Sequence, residues 1–259
     1  MIKTRYLKDR LQNGENLIGT HISMTDSIAS EILGRLGYDF VWIDTEHSEI
    51  SYTNLRNHIT AVNAGGTPAI VRVSMNDYNH VKRVMEMGPD GIIFPMINTA
   101  EEARCAMEFC MYPPEGRRGF GPLRAVCYGV EDMDEYIECA NKKTCRFIQI
   151  ETLTAVNNLS EIVKNPYIDG YFFGPCDLSG SLGELNRVFG ESTQREIRRA
   201  IDILKSAGKP IGVSTGSTDR NVTEFWHDLG INIISSGTDY DYIVRGASEN
   251  LKVMREFMK

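Results

Sequence analysis

Short runs of apolar residues alternate along this chain with longer segments in which apolar positions recur every three or four residues. The short runs are apolar on both faces, as expected for parallel strands covered by helices. Between two of them, Val81 is followed one turn later by Val84 and Met85, which indicates a helix. The eight predicted strands are Leu17–Ile22, Phe40–Asp44, Ala69–Val73, Gly91–Pro95, Phe147–Glu151, Gly170–Phe173, Pro210–Ser214 and Asn232–Ser236.

Eight βα units in 259 residues predict one α/β domain, residues 1–259, folded as a (β/α)₈ TIM barrel. One predicted helix, Ala100–Phe109, begins with a capping box formed by Thr99 and Glu102. The alternative is a doubly wound open sheet, but no Gly-x-Gly-x-x-Gly turn follows the first strand. A long excursion, Tyr112–Pro122, interrupts the pattern, and loops of this length are usually functional or make interface contacts.

Composition removes several classes of protein. The formal net charge is −7 and no basic cluster is present, which disfavours a nucleic-acid partner. No apolar run approaches the ~20 residues that span a membrane, and the charged start of the chain does not resemble a signal peptide. The six cysteines lack zinc-site spacing, so we expect reduced thiols in a cytoplasmic protein.

Two carboxylates lie where predicted strands end. Glu151 ends the fifth strand and Asp177 follows the sixth, and a barrel brings these carboxyl ends into one ring. Two carboxylates there can bind one hard divalent cation such as Mg²⁺ or Mn²⁺. The competing interpretation is that Glu151 caps the next helix and that Asp177 is the N-cap of Leu178–Leu182.

A histidine and an arginine lie at two other strand ends. His47 follows Asp44 by three residues, and a histidine steered by a carboxylate is a common general base. It can also be a surface histidine in a turn. Arg72 is flanked by valines, and a buried arginine requires an anion, which is either a structural carboxylate or a substrate oxyanion.

The remaining polar residues narrow the chemistry. His21 ends the first strand and can line the same ring. The turn Gly174–Asp177 leads into a predicted helix, whose backbone N–H groups can bind a carboxylate. No lysine lies inside an apolar strand, which disfavours a Schiff-base mechanism. The residues therefore favour a metal-stabilised enolate.

Several motifs in combination resemble the HpcH/HpaI aldolases, which are class II, metal-dependent pyruvate aldolases. The family includes 4-hydroxy-2-oxo-heptane-1,7-dioate aldolase and 2-dehydro-3-deoxyglucarate aldolase. The resemblance extends from about Gly19 to about Asp239. The motifs are Asp44-Thr45-Glu46-His47, Val71-Arg72-Val73, Tyr112-Pro113-Pro114-Glu115-Gly116-Arg117-Arg118-Gly119, Gln149-Ile150-Glu151-Thr152 and Gly174-Pro175-Cys176-Asp177-Leu178-Ser179.

The resemblance implies a barrel of the phosphoenolpyruvate/pyruvate type and an aldehyde-lyase. Such an enzyme reversibly cleaves a 4-hydroxy-2-oxo acid, a 2-keto-3-deoxy sugar acid or a 4-hydroxy-2-oxo-dioate, to pyruvate and an aldehyde. Glu151 and Asp177 become ligands of Mg²⁺, Mn²⁺ or Co²⁺, and no organic cofactor is implied. His47 becomes the base, acting with Asp44 and through a metal-bound water, and Arg72 stabilises the enolate oxygen.

The resemblance also implies substrate contacts and an assembly. Gln149 lies beside the metal site, and the backbone around Gly174, Pro175 and Cys176 binds the pyruvate carboxylate. The family commonly has tryptophan at His21, alanine at Cys176 and aspartate at Glu86. We therefore expect His21 and Cys176 to influence the aldehyde preference, and Glu86 is a candidate for a subunit contact.

The family is usually hexameric, and the segment Tyr240–Phe257 is a candidate for a helix exchanged between subunits. Two alternatives remain open. A CoA-ester lyase of the citrate-lyase beta type shares the enolate chemistry but requires an extended nucleotide site. A non-catalytic metal-binding barrel has the same ligands without turnover.

Overall fold

Eight parallel strands close into a barrel in chain order, which confirms the predicted (β/α)₈ fold. The computed structural model describes residues 7–258, so residues 1–6 and 259 of the predicted domain lie outside the described residues. The strands are β1 (Leu17–Ile22), β2 (Phe40–Asp44), β3 (Ala69–Arg72), β4 (Gly91–Phe94), β5 (Cys145–Ile150), β6 (Gly170–Phe173), β7 (Ile211–Ser214) and β8 (Ile233–Thr238).

Helices connect the strands on the outside of the barrel. They are α1 (Leu7–Gln12), α2 (Ile28–Arg35), α3 (Tyr52–Ala64), α4 (Tyr78–Glu86), α5 (Ala100–Cys110), α6 (Met133–Lys143), α7 (Leu153–Ile162), α8 (Pro175–Ser181), α9 (Glu191–Ser206), α10 (Arg220–Asp228) and α11 (Asp239–Phe257). The predicted capping box is confirmed, since Thr99 and Glu102 cap α5 reciprocally.

Several strand ends differ from prediction by one or two residues, and two of these ends are at prolines. β4 ends before Pro95 and β7 begins after Pro210, because proline has no N–H to donate to a strand ladder. β5 begins two residues earlier than predicted, at Cys145, and β8 continues to Thr238. The carboxyl ends of β2 and β3 are in register, with Asp44 paired to Arg72. These ends form the rim on which the polar residues of the motifs lie.

Large rings fill the barrel interior beneath that rim. The ring centroids of Trp42 and Phe172 are 5.0 Å apart, and those of Phe147 and Phe172 are 5.3 Å apart. Gly212 lies against the ring of Phe172. A Cβ atom at this position would lie 2.6 Å from that ring, so only glycine fits without a shift. The interior is therefore packed solid, as in other barrels of this kind. Any site must consequently lie at an end of the barrel.

The long excursion after α5 lies at the opposite end from that rim. It continues into a 3₁₀ helix, Arg124–Gly129, and then into α6. Arg124 Nη1 donates hydrogen bonds to the carbonyls of Met87 (2.6 Å) and Gly88 (3.4 Å), just before β4 begins. Within one chain, the excursion therefore packs on the amino ends of the strands.

Two further properties concern the described residues as a whole. The thiols of all six cysteines are free. Within residues 7–258, no helix combines the length and the apolar character required to cross a bilayer.

The close approach of α2 and α3 gives a prediction about stability. A Cβ atom on Gly65, at the end of α3, would lie 2.4 Å from the backbone oxygen of Gly34 in α2. We expect Gly65→Ala to destabilise the protein by ~1–3 kcal/mol, because two backbones must separate. Urea unfolding followed by circular dichroism measures this change.

Gly246→Ala is the matched control. Gly246 lies inside α11, and within one chain no atom of residues 7–258 lies within 4 Å of the position of a Cβ atom there. We expect this substitution to be neutral or to stabilise by up to ~1 kcal/mol through helix propensity. Equal losses of stability in the two variants would contradict the close packing of α2 on α3.

Candidate active site

A buried ion pair joins the carboxyl ends of β2 and β3. Arg72 Nε donates to Asp44 Oδ1 at 3.0 Å, and Arg72 Nη2 donates to Asp44 Oδ2 at 2.6 Å. The two side chains are only 12% and 9% exposed. The strand register places the residues side by side, so the planar guanidinium meets the carboxylate in a two-point contact.

Burial and pairing act against each other in this ion pair. Burial tends to raise the pKa of Asp44, but hydrogen bonds and the charge of Arg72 outweigh it and hold that pKa below its ordinary value. Burial likewise tends to lower the pKa of Arg72, and Asp44 raises it instead. Both groups are therefore charged at neutral pH.

The ring of His47 does not contact Asp44, which corrects the predicted pairing. Asp44 Oδ1 accepts hydrogen bonds from the backbone N–H groups of Glu46 (2.9 Å) and His47 (3.3 Å), while its side-chain partner is Arg72. The His47 side chain is 66% exposed, and its Nε2 lies 3.9 Å from Glu46 Oε2. His47 therefore lies on the rim, open to solvent, as a base must be if it is to exchange protons.

Glu46 is a member of the site to which the sequence assigned no role. Its Oε2 lies 2.8 Å from Arg72 Nη1, although the geometry is that of an ion pair and not of a hydrogen bond. Burial raises the pKa of Glu46, and the neighbouring charges of Asp44 and Asp177 add to this rise. The available signal was its place in the motif with Asp44 and His47.

Glu151 lies just after β5 and receives one donor on each carboxylate oxygen. Gln149 Nε2 donates to Oε2 at 2.9 Å, and the backbone N–H of Met96 donates to Oε1 at 2.5 Å. Arg72 Nη1 in turn donates to Gln149 Oε1 at 3.4 Å. Gln149 thus lies beside Glu151 and links it to the arginine.

The end of β6 approaches Glu151 closely. A Cβ atom on Gly174 would lie 2.5 Å from Glu151 Oε2, so any side chain at this position would displace the carboxylate. Gly174 is the N-cap of α8, and Pro175 begins the helix, where its missing N–H costs nothing. Asp177 lies exposed in the first turn of α8.

The two competing structural interpretations of the carboxylates are wrong. Helix α7 is capped by the hydroxyl of Thr152, which accepts from the N–H of Ala155 at 3.0 Å, and not by Glu151. Helix α8 begins before Asp177, which therefore cannot be its N-cap. Neither carboxylate has a capping role that explains its position.

The carboxylates fit a hard divalent cation that also binds solvent or substrate. Burial, together with the charges of Glu46 and Asp177, raises the pKa of Glu151 to about 7 against the opposing Met96 N–H and Arg72. Within residues 7–258, no three His, Cys, Asp or Glu residues are grouped as a complete metal cage. Two carboxylates with open positions suit Mg²⁺ or Mn²⁺, because these ions keep several water or substrate ligands.

His21 lies beneath the rim with both ring nitrogens engaged. Its Nδ1 lies 3.1 Å from the carbonyl oxygen of Gly237, which can only accept, so Nδ1 carries the proton. Nε2 then accepts from the hydroxyl of Ser214 at 3.1 Å. Burial lowers the pKa of His21 to about 4. The ring is therefore neutral, and it packs 5.0 Å from the ring of Trp42.

Cys176 and Glu86 occupy different regions. Cys176 is exposed next to Asp177, and its Sγ lies 4.0 Å from Asn186 Oδ1. Burial of its sulfur and the charge of Asp177 raise the pKa of this thiol, which is therefore protonated at neutral pH. Glu86 ends α4, away from the rim, and pairs with the buried Arg118 at 3.2 Å.

Comparison with known proteins gives a consistent result. The sequence matches the HpcH/HpaI aldolase/citrate lyase family over residues 18–245, which confirms the resemblance found in the motifs. A hydroxypyruvate/pyruvate aldolase from Roseobacter denitrificans is 34% identical over 232 residues, 90% of either chain. A 4-hydroxy-2-oxo-heptane-1,7-dioate aldolase from Salmonella typhimurium is 32% identical over 240 residues, 93% of this chain and 90% of that one.

A solved structure shows the same architecture. The crystal structure of an HpcH/HpaI aldolase/citrate lyase family protein from Burkholderia cenocepacia superposes with a TM-score of 0.90 at 28% identity. The superposition covers 96% of this chain and 98% of that one. The similarity therefore extends over the whole barrel.

The raised pKa of Glu151 predicts how stability depends on pH when no metal is bound. Its pKa is 4.5 ordinarily and about 7 in the folded protein, so the folded state binds the proton more tightly. Stability should fall as pH rises from about 4.5 to about 7, by on the order of 3 kcal/mol in total. Glu151→Gln should remove this loss, because glutamine does not ionise.

Urea unfolding at pH 5 and pH 8 with excess chelator measures the effect. The informative quantity is the difference between wild type and Glu151→Gln, since other groups titrate in both proteins. Wild type should lose stability relative to the variant between these two pH values. An unchanged difference would mean that burial does not penalise the charge of Glu151.

Proposed function

The chain belongs to the HpcH/HpaI aldolase/citrate lyase family and is a carbon–carbon lyase, and we propose that it reversibly cleaves a 4-hydroxy-2-oxo acid to pyruvate and an aldehyde. One observation carries the proposal. The buried Arg72 guanidinium is linked through Gln149 to the carboxylate of Glu151 at the open end of the barrel. A fixed positive charge beside a cation-binding carboxylate suits an enolate.

Glu151 and Asp177 are the proposed ligands of the divalent cation, with Mg²⁺, Mn²⁺ and Co²⁺ as candidates. When bound, such an ion supplies positive charge that polarises the carboxylate and keto oxygens of the substrate. Gln149 holds Glu151 by a hydrogen bond of 2.9 Å. Gly174 leaves room for the same carboxylate.

Arg72 is the proposed stabiliser of the enolate oxygen. When the C3–C4 bond breaks, its electron pair moves toward the C2 oxygen, which becomes negatively charged. Arg72 is held in place before the reaction by its two-point contact with Asp44, so it need not reorganise. Asp44 therefore acts on Arg72 as a positioning residue, and not on the ring of His47.

His47 is the proposed base. Its Nε2 removes the proton of the C4 hydroxyl, directly or through a water molecule, and the exposed ring can then release that proton to solvent. Glu46 Oε2, 3.9 Å from Nε2, stabilises the protonated ring.

Four further residues are placed in contact with the substrate or next to it. The pyruvate carboxylate is placed at the first turn of α8, after Gly174 and Pro175, where the backbone N–H groups of Cys176 and Asp177 can donate to it. Cys176 faces solvent beside Asp177 and is placed against the aldehyde portion. The uncharged ring of His21 lies beneath the rim and is placed at the bottom of the substrate pocket.

We also propose that α11 packs on a neighbouring copy of the chain, in a hexamer. Beyond its first turns, α11 exposes apolar side chains, including Ile243, Val244 and Phe257. A groove of about 630 Å³ beside β1 and β8 is lined by Ile18 and Ile234, among others. Ile18 is 56% exposed on the outside of the barrel, where a helix normally covers the strand.

Proton exchange at the methyl group of pyruvate in D₂O, followed by NMR, tests the enolate half-reaction. We expect exchange with Mg²⁺ or Mn²⁺ and none with excess chelator. Arg72→Ala should lower the exchange rate by ~100-fold or more, because it removes a preorganised charge from the developing oxyanion. Binding of Mn²⁺ should change much less.

Arg56→Ala is the control for this experiment, because Arg56 is exposed on α3 away from the rim. Exchange by the Arg72→Ala protein at the wild-type rate would remove Arg72 from the mechanism. Absence of exchange by folded wild-type protein with every metal would favour a CoA-ester lyase or a non-catalytic barrel.

A charge on the apolar face of α11 should break the assembly. We expect Ile243→Glu to shift the protein to smaller species in analytical ultracentrifugation, because the glutamate cannot be buried without a partner. Ser248→Glu adds the same charge at an exposed position on the polar face of α11, near Arg245 and Lys252, and should leave the assembly intact. A wild-type protein that is monomeric at micromolar concentrations would contradict this proposal.

A further inference from the structure

The backbone at Met96 has a conformation that residues other than glycine rarely adopt. Its φ angle is +54°, in the left-handed region. Met96 follows β4 by two residues and lies on the rim of the barrel. In this conformation its N–H points at Glu151 and donates to Oε1 at 2.5 Å. An unfavourable conformation at a site requires surroundings that maintain it.

The side-chain amide of Asn98 supplies that restraint. Asn98 Nδ2 donates to the carbonyl oxygen of Met96 at 2.9 Å and so closes the turn. Its Oδ1 accepts a hydrogen bond from the hydroxyl of Thr152. Thr152 is the residue directly after Glu151. One amide therefore bridges the loop after β4 and the segment that carries Glu151.

Asn98 is itself held firmly from two sides. Its backbone N–H donates to Glu102 Oε2 at 2.7 Å, within the capping box of α5. Its carbonyl oxygen accepts from Asn158 Nδ2 of α7 at 2.8 Å. The amide thus projects from an anchored backbone, which makes its two hydrogen bonds directional constraints.

The result is a carboxylate with a defined orientation. Met96 fixes Oε1 and Gln149 fixes Oε2, so Glu151 is held at both oxygens. Each oxygen retains a lone pair that is not used by these donors. Rotation of the carboxylate would break both hydrogen bonds inside a buried site.

We propose that Asn98 is a positioning residue for Glu151, acting through the left-handed backbone of Met96. The inference rests on the proposed function, because it treats Glu151 as a ligand of the divalent cation. Without the Asn98 amide, Met96 relaxes toward an ordinary conformation and its N–H turns away from Oε1. The carboxylate then loses its orientation, and the cation binds less tightly.

Mn²⁺ binding to the full-length protein, measured by the EPR signal of free Mn²⁺, tests the proposal. We expect Asn98→Ala to raise the dissociation constant by ~10–100-fold, the range found when partners of metal ligands are removed. Asn98→Asp keeps the acceptor for Thr152 but loses the donor to Met96, so it should show the same loss. It serves as the second variant if Asn98→Ala does not fold.

Two further variants separate positioning from general loosening of the loop. Asn158→Ala removes an anchor of the same loop but leaves the Asn98 amide in place, so Mn²⁺ affinity should stay near wild type. In the double variant Met96→Gly/Asn98→Ala, glycine adopts the left-handed conformation without steric cost. Affinity should therefore recover in part, which a purely structural role of Asn98 does not predict.

A readout without metal completes the test. Deuterium exchange of the Met96 amide should be about tenfold faster in Asn98→Ala than in wild type and unchanged in Asn158→Ala. If wild type binds Mn²⁺ and Asn98→Ala binds it equally well, the positioning role is overturned while the proposed function stands. If folded wild type binds no Mn²⁺, the proposed function and the inference fail together.

Discussion

The ion pair between Asp44 and Arg72 is the constraint around which the rim of the barrel is organised. Two nearly buried charges of opposite sign cannot be separated without a penalty of several kcal/mol, so they must remain in contact. This requirement keeps the carboxyl ends of β2 and β3 at the same height. Glu46 and Gln149 then take their positions from the remaining edge of the guanidinium.

The same rim places two carboxyl groups in opposite electrostatic environments. Arg72 lowers the pKa of Asp44, whereas burial and neighbouring carboxylates raise the pKa of Glu151. The charge of Arg72 opposes this rise in the pKa of Glu151 but does not outweigh burial. In many active sites, different environments give two similar carboxyl groups different pKa values and so different roles. One carboxylate holds an arginine here, and the other remains available to a cation.

The sequence predicts the barrel well because its strands are short, apolar on both faces and regularly separated by helical spacing. It also locates Glu151, Asp177 and Arg72, since polar residues at strand ends are conspicuous after apolar runs. The predicted side-chain partner of Asp44 was wrong for a physical reason. His47 lies three positions after Asp44 in the chain, but the partner in the structure is Arg72, which is paired with Asp44 across β2 and β3.

Other parts of the site have no signature in the sequence. Nothing about a methionine indicates a positive φ angle, which at Met96 is accompanied by a hydrogen bond from Asn98, two residues away and itself bonded to α7. The sequence assigns no role to Glu46, because the partner of a carboxylate in a turn is not known until the strands are aligned. Long-range register and local backbone conformation are therefore what the structure adds.

The contact between Gly174 and Glu151 determines where this barrel can vary. Any side chain at position 174 would have to displace Glu151, because its Cβ atom would lie 2.5 Å from Oε2 and 2.8 Å from Cβ of that residue. Two residues further on, Cys176 is exposed, and its Sγ lies 4.0 Å from Asn186 Oδ1. Position 176 therefore has room for other side chains, whereas position 174 does not.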